Sequence, residues 1–386
     1  MTDVGVIPED WEVKSIGEIC YDTKYGVAAE AIPFDGINKY IRITDIDDED
    51  GHFVQGNLTS PSFFMPIHIL GENDLLIART GASVGKSYLY NKQDGKLIFA
   101  GFLMKFNINK ANPKLVFYKT MTSDYHDYIE SESMRSGQPG VNIQQIKDYT
   151  VSLPKAIKEQ QAIADALTKV DNLITSLTKV IEKKKLIKKG AMQKLLSGEM
   201  RLDGFEGEWI KIKLGDISSI KTGSRNVEEH SANGKYPFFV RSKEVMKINT
   251  FSYDEEAILV PGEGGIGEIF HYVNGKFDVH QRVYKISDFN DRVNALFIYW
   301  YMIIFFGEYA KENTVKATVD SLRLPTFTDF ICYLPPTKAE QTAIADILTT
   351  MDNEIEALEK ERDKYKCIKQ GMMQQLLTGK IRLICQ

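Results

Sequence analysis

The 386-residue sequence predicts an α+β protein in which two similar globular blocks are joined by two long antiparallel coiled-coil helices and related by a pseudo-twofold. Three observations predict it: a 50-residue stretch occurs twice, each copy has the apolar spacing of one long helix, and a shorter echo opens each block. The first copy runs Leu153-Pro154, Glu159-Gln160, Ala162-Ile163-Ala164-Asp165, Leu167-Thr168. It returns at a constant offset of 181 as Leu334-Pro335, Glu340-Gln341, Ala343-Ile344-Ala345-Asp346, Leu348-Thr349. The register holds to the end, where Gly190, Met192-Gln193, Leu195-Leu196, Gly198 and Arg201-Leu202 match Gly371, Met373-Gln374, Leu376-Leu377, Gly379 and Arg382-Leu383. Ungapped, 27 of the 50 positions are identical. A repeat of this kind sets the architecture before any element is read.

Each copy reads as one helix. Ile163, Leu167, Val170, Ile174, Leu177 and Ile181 step by four and three, a narrow coiled-coil seam. The second copy has Ile344, Leu348, Met351, Ile355 and Leu358, a polar break at Arg362, then Tyr365 and Ile368. A helix from Gln160 to Leu196 is about 55 Å long. Pro154 and Pro335 lie just upstream, and Gly198 and Gly379 just past the last apolar pair, the expected punctuation. Charge gives the direction of pairing. Lys183, Lys184, Lys185, Lys188 and Lys189 load the C-terminal half of the first helix; Asp352, Glu354, Glu356, Glu359 and Glu361 load the earlier part of the second. Antiparallel packing sets these runs face to face, whereas parallel packing sets lysines against Lys364, Lys366 and Lys369.

The domain divisions that follow are block 1–152, repeat helix 153–202, block 203–333, and repeat helix with C-terminal tail 334–386. With 43% apolar, 26% charged and 11% aromatic residues, the composition is that of an ordinary globular protein. The richest apolar run, Ala295 to Phe306, is too short to span a bilayer, and the N-terminus has no export signal, so a cytoplasmic location is expected. The four cysteines are scattered and the six histidines unpaired, so neither a disulfide framework nor a metal site is expected. The net charge of −5 says little about nucleic acid, because the local field matters: the first repeat copy carries eleven Lys and Arg against five acids.

The first block opens on Trp11-Glu-Val-Lys-Ser-Ile16-Gly17, echoed 198 residues later by Trp209-Ile-Lys-Ile-Lys-Leu214-Gly215. Strands are predicted at Tyr40–Thr44, Asp74–Ala78, Lys86–Tyr90, Leu97–Ala100 and Leu103–Phe106, then one helix over 113–129. The second block repeats the order: Tyr236–Val240, Ala257–Val260, Glu268–Val273 ending at Asn274-Gly275, Val283–Ile286, and an aromatic-rich helix over 294–309.

Two glycine motifs invite a nucleotide reading. Gly262-Glu-Gly264-Gly265-Ile-Gly267 spells a dinucleotide fingerprint, but β-rich sequence follows where a helix is needed. Gly81-Ala-Ser-Val-Gly85-Lys86-Ser87 approximates a phosphate loop with one residue too few. Their matching positions suggest one surface loop per block whose glycines, among them Gly81, Gly262 and Gly264, let backbone approach a ligand. Elbow, nuclease and methyltransferase motifs are missing, so no catalytic residues are expected.

The loops do carry the side chains that read DNA. Arg42 and Thr44 align with Arg241 and Lys243; Arg79, Ser83 and Lys86 flank the first glycine loop. Arg135, Gln138 and Asn142 precede the first long helix, with Lys316 and Thr318 at the equivalent place in the second block. Arg, Gln and Asn pair bidentately with purine edges, while Lys and Ser hold phosphates.

On its duplicated helix-launch motif at 153–164 and 334–345 and its terminal Ile-Lys-x-Gly-x-Met-Gln-x-Leu-Leu-x-Gly-x-x-Arg-Leu at 187–202 and 368–383, the chain resembles the specificity subunit of type I restriction-modification systems. The resemblance spans the whole length. It implies that each block is a target-recognition domain for one half of a bipartite double-stranded DNA site, and that the helices set the spacer and dock two modification (methyltransferase) subunits. It also implies restriction subunits in a full complex, with S-adenosylmethionine, ATP and Mg held by the partners and none by this chain. Met192, Leu195, Leu196, Met372, Met373, Leu376 and Leu377 are the expected docking residues. The rival readings are a coiled-coil scaffold that does not bind DNA, and a nucleotide-dependent methyltransferase or ATPase.

Overall fold

The computed structural model describes residues 7–134, 139–314 and 321–383. Arg135, Gln138, Lys316 and Thr318 therefore lie outside the described residues. The chain forms two compact units, residues 1–176 with 362–386, and residues 177–361. Each contains one globular block and part of both long helices.

In the first block the order is β1 (Trp11–Ser15), α1 (Ile16–Ile19), β2 (Cys20–Tyr25), β3 (Ala31–Pro33), β4 (Lys39–Ile41), β5 (Thr59–Pro61), β6 (Asp74–Ala78) and β7 (Ser87–Leu89). There follow β8 (Leu97–Phe99), β9 (Leu103–Ile108), α2 (Pro113–Lys119), α3 (Ser123–Ser133), α4 (Ile143–Asp148) and β10 (Thr150–Pro154). The long helix α5 runs Ile157–Leu196. The second block has β11 (Ile210–Lys213), α6 (Leu214–Ile217), β12 (Ser219–Thr222), β13 (Tyr236–Phe239), β14 (Met246–Ile248), β15 (Tyr253–Pro261), β16 (His271–Val279) and β17 (Val283–Ser287). It closes with α7 (Ala295–Glu312), α8 (Leu324–Thr328) and β18 (Ile331–Leu334) before the long helix α9, Lys338–Leu376.

The two blocks share a topology. Strands β2-β9-β6-β7 form one sheet in the first, and β12-β17-β15-β16 occupy the same order in the second. The entry strand pairs antiparallel with the exit strand in both, β1 with β10 and β11 with β18. A parallel pair also recurs, β4 with β8 and β13 with the end of β16. The difference lies in continuity: the first block interrupts between Leu89 and Leu97, whereas β16 runs unbroken. It passes straight through Asn274-Gly275, where the sequence predicts a stop, because Glu256 and Glu255 of β15 continue the ladder opposite them.

Two other expectations change. The single helix over 113–129 is α2 and α3, split where Thr120 and Thr122 turn their hydroxyls back onto the Phe117 and Lys119 carbonyls and Thr122 adopts an extended backbone. Strand Tyr40–Thr44 ends at Ile41, because the Asp45 carboxylate accepts from both the Arg42 amide and its guanidinium and tightens Ile43–Asp45 into a 3-10 turn.

Helix pairing is antiparallel. In the second unit Lys184 meets Glu354 at 2.7 Å, Lys185 meets Glu359 at 2.5 Å, and Lys188 pairs with Asp352. In the first unit Lys369 meets Asp171 at 2.6 Å. The seam holds at Ile163, Leu167, Ile174, Ile181, Ile344, Leu348 and Ile355, all buried. It departs at Ile368, which is 39% exposed while Lys369 beside it is buried. The four-three stepping that passes through Arg362 and Tyr365 reaches Lys369, so the buried face runs on without a shift and Ile368 lies one residue off it.

The docking residues need correction. Met192, Leu195 and Leu196 are buried in the core of the second block, and Leu376 and Leu377 in that of the first, with Met372 and Met373 packed against them. Apolar side chains at a helix end serve whichever core the end meets, and here it is the chain's own.

Candidate nucleic-acid interface

Both glycine motifs are hairpin turns. Gly81 to Lys86 joins the antiparallel β6 and β7, and Gly262 to Gly267 joins β15 and β16. A phosphate loop or dinucleotide fold needs a helix at this point to aim its N-terminal amides at the anion. Each turn is stapled to the segment just before the block's last short helix, α4 or α8. Val141 donates to the Arg79 carbonyl at 2.8 Å, and Leu322 donates to the Gly262 carbonyl at 2.8 Å. Each also closes on a helix: a Cβ at Gly85 would lie 2.8 Å from Ile129 Cγ2, and one at Gly267 would lie 2.7 Å from Gly307 Cα.

The glycines therefore divide. Gly81 (φ +82°) and Gly264 (φ +70°) occupy the left-handed region with open space beyond them, as a ligand-facing turn requires. Gly262 does not: it is buried, and a Cβ there would meet the ring of Tyr284 at 2.9 Å. Its small size serves internal packing.

The structure gathers Thr44, Ser83 and Lys86 around one shallow hollow of about 350 Å3. Lys86 is paired at 2.5 Å with Asp48, and Asp47 lines the same hollow, so its field opposes a phosphate. Nearby, Asp47, Asp50 and His52 bring potential ligand atoms within 4.8 Å of one another. These are engaged locally, since Asp47 caps the Glu49 and Asp50 amides and His52 pairs with Asp50.

Arg42 is clamped to Asp45 by two bonds of 2.9 Å, which also holds its pKa above the ordinary value. It does not occupy the place of Arg241. Ile41 accepts from the Ala100 amide as Phe239 accepts from that of His280, and Ala100 and His280 each accept from the residue three on, Leu103 and Val283. Arg42 thus matches Val240, one residue off the sequence alignment, a slip that exchanges faces in extended chain. Arg241 instead shares Glu263 with Arg282, at 3.3 and 3.1 Å. Lys243 is exposed. Asn142 uses its side-chain oxygen to cap α4 at the Gln145 amide, 3.0 Å away.

Arg79 differs from Arg42 and Arg241. Its guanidinium carbon lies 4.9 Å from the Tyr25 ring centre, Nε is buried without a hydrogen-bond partner, and no ion pair involves it among the described residues. Neither Tyr25 nor the neighbouring Phe102 stands out in the sequence, because an aromatic left exposed is indistinguishable there from a core aromatic.

These interfaces stand on a repeated framework. Glu159 accepts two bonds from Arg382, and Glu340 two from Arg201. Gln160 accepts the Asn112 amide at 2.8 Å and Gln341 that of Asn294 at 2.8 Å, tying the start of each block helix to a long helix.

The family model for the type I restriction modification DNA specificity domain matches residues 8–188 and 206–364. The chain belongs to this family. Two relatives from Methanocaldococcus jannaschii match nearly end to end. The putative type I restriction enzyme MjaX specificity subunit is 27% identical over 99% of this chain and 96% of its own. The type I restriction enzyme MjaVIII specificity subunit is 26% identical over 98% and 94%. The crystal structure of a type I restriction-modification S subunit from M. genitalium has the same fold, with a TM-score of 0.72 at 18% identity over 97% of this chain and 98% of that one. This DNA specificity subunit thus carries two copies of the family's domain, each ending within a long helix. No helix among the described residues is long and apolar enough to cross a membrane.

Proposed function

We propose that the two blocks read the two halves of a bipartite DNA site, that α5 and α9 set the spacer, and that the chain itself performs no catalysis. The observation that carries this reading is the pairing of one strand order with two different sets of turn side chains: Tyr25, Arg79 and Ser83 in the first block, Arg241, Glu263 and Arg282 in the second. One scaffold with two loop chemistries serves recognition of two different sequences. S-adenosylmethionine, ATP and Mg then belong to modification and restriction subunits that this chain assembles.

With the earlier docking residues buried, the modification subunits have other side chains to grip. Leu186 (71% exposed) and Ile187 on α5 are apolar and open, as are their repeat counterparts Cys367 and Ile368 on α9. Selection of duplexes from a randomised pool by the full chain tests the reading. A two-part motif with a fixed gap is expected, and a single uninterrupted motif or none would refute it. Inserting four residues, about one helical turn, between Leu167 and Leu177 should change the gap and leave both parts intact.

A further inference from the structure

In the first block the peptide at Arg79 is held from both sides: its amide donates to the Phe102 carbonyl at 3.0 Å and its carbonyl accepts from Val141 at 2.8 Å. Its guanidinium lies against Tyr25, and the Tyr25 phenol oxygen in turn accepts from the Ile143 amide at 3.4 Å. The arginine is thus seated on a fixed ring by a fixed backbone. An arginine so restrained loses little side-chain freedom when it binds, and stacking on an aromatic face with Nε buried leaves its two terminal amino groups, unbonded among the described residues, as the donors. Beside it Phe102 is 63% exposed at the tip of the turn between β8 and β9. A phenyl ring this open contributes nothing to the core.

The second block shows that these places vary while the backbone is kept. Gly262 donates to the Arg282 carbonyl at 2.9 Å, as Arg79 does to Phe102, and Leu322 donates to Gly262 as Val141 does to Arg79. Tyr25 lies opposite Met104, and Thr222 opposite Tyr284, one residue past the matched Leu103 and Val283. Tyr, Arg and Phe in one block therefore stand where Thr, Gly and Arg stand in the other. The same hydrogen bonds support an aromatic and cationic surface in one case and an Arg-Glu-Arg cluster in the other.

We propose that Arg79 and Phe102 are the base-reading pair of the first block: Arg79 takes the O6/N7 edge of a guanine, Phe102 packs on the methyl of a neighbouring thymine, and Tyr25 is the positioning residue for Arg79. The chemistry is that of major-groove readout, where arginine is the commonest guanine partner and an apolar side chain recognises thymine. This inference rests on the half-site reading above, and adds which residues do the reading and which bases they take.

The test is selection of randomised duplexes by the full chain and its variants. The wild-type chain selects a two-part motif in which one part contains guanine beside thymine. Arg79→Ala and Tyr25→Leu lower the preference for that guanine by roughly tenfold, Tyr25→Phe retains it, and Phe102→Ala relaxes the adjacent thymine alone. The other part and the gap stay unchanged, which also shows that the variants are folded. Variants that select the wild-type motif with unchanged preferences, or that weaken both parts equally, overturn the assignment while the half-site reading stands. A wild-type chain that selects no two-part motif overturns both.

Discussion

Arg382, near the end of the second repeat, closes a two-point ion pair on Glu159, near the start of the first, at 2.7 and 2.8 Å. The reciprocal pair, Arg201 with Glu340, has the same bidentate form at 2.6 and 2.8 Å. Glu159 and Glu340 are both buried, so each depends on the partner supplied by the other repeat copy. Arg201→Ala and Arg382→Ala should each lower the denaturation midpoint, with the larger loss at Arg201, whose partner is the more deeply buried glutamate. Replacing the glutamate as well, as in Arg201→Met with Glu340→Gln, should recover part of it. Urea titration of the single and paired variants checks this; equal midpoints for Arg201→Ala and the wild-type chain would contradict it.

A second repeated device joins each block to both long helices. The Tyr118 hydroxyl donates to Asp171 at 2.6 Å, with Lys369 bonded to the same carboxylate and 5.7 Å from the Tyr118 ring centre. In the second block Trp300 takes the tyrosine's place: its indole donates to Thr349 at 3.2 Å, and Lys188, paired with Asp352, lies 4.3 Å from its ring centre. Trp300→Ala should destabilise the second unit by about 3–5 kcal/mol. Tyr118→Phe, which keeps the ring and loses one bond to a charged group, should cost the first unit about 1.5–3 kcal/mol. Hydrogen exchange resolved by unit separates the two effects. Loss of protection in the wrong unit would refute the assignment.

Glycine substitutions along α9 should act in opposite directions. Gly379 follows the helix at φ +71°, and a Cβ there would lie 2.6 Å from Pro8 Cγ and 3.2 Å from Trp11. Gly371 lies within the helix with nothing inside 4 Å of its Cβ position. Gly379→Ala is expected to destabilise by about 1–3 kcal/mol, and Gly371→Ala to stabilise by about 0.4–1 kcal/mol. Thermal melts of the two variants decide it, and changes of the same sign would count against this geometry.

Lys119 gives the molecule a pH dependence of known sign. It lines a groove of about 610 Å3 in the first unit, and its ammonium donates to the Leu377 carbonyl at 2.5 Å and to Ser152 Oγ at 2.9 Å. Burial pushes its pKa down to about 7. The unfolded chain keeps this proton to about pH 10. Between those values the unfolded state binds more protons, so stability rises with pH across the window and is flat with respect to this group below it. Urea midpoints measured over that range should rise for the wild-type chain and rise less for Lys119→Met. Parallel slopes would show that Lys119 does not titrate there.

A fifth prediction concerns assembly. Leu186→Glu with Ile187→Glu should leave duplex selection by the isolated chain unchanged and weaken its co-purification with modification subunits. Undiminished co-purification would place the docking surface elsewhere.

The repeat, its helical seam and the antiparallel direction were legible in the sequence because they depend on periodicity and charge order, which are properties of the chain read along its length. The shared block order was legible for the same reason: alternation and turn residues recur in the same succession. The turn chemistry was legible only as a set of candidates. Whether Arg42 faces DNA or Asp45, whether Gly262 admits a ligand or the Tyr284 ring, and whether Leu195 and Leu376 form a surface or a core are decided by what lies across from each residue. Duplication hides this in a particular way. Glu159 has two identical partners on offer, Arg201 and Arg382, and the sequence is the same at both. Only the fold chooses: Glu159 lies in the first turn of α5 and Arg201 in the chain past its last residue, Leu196, while the antiparallel α9 ends beside Glu159 and delivers Arg382 to it.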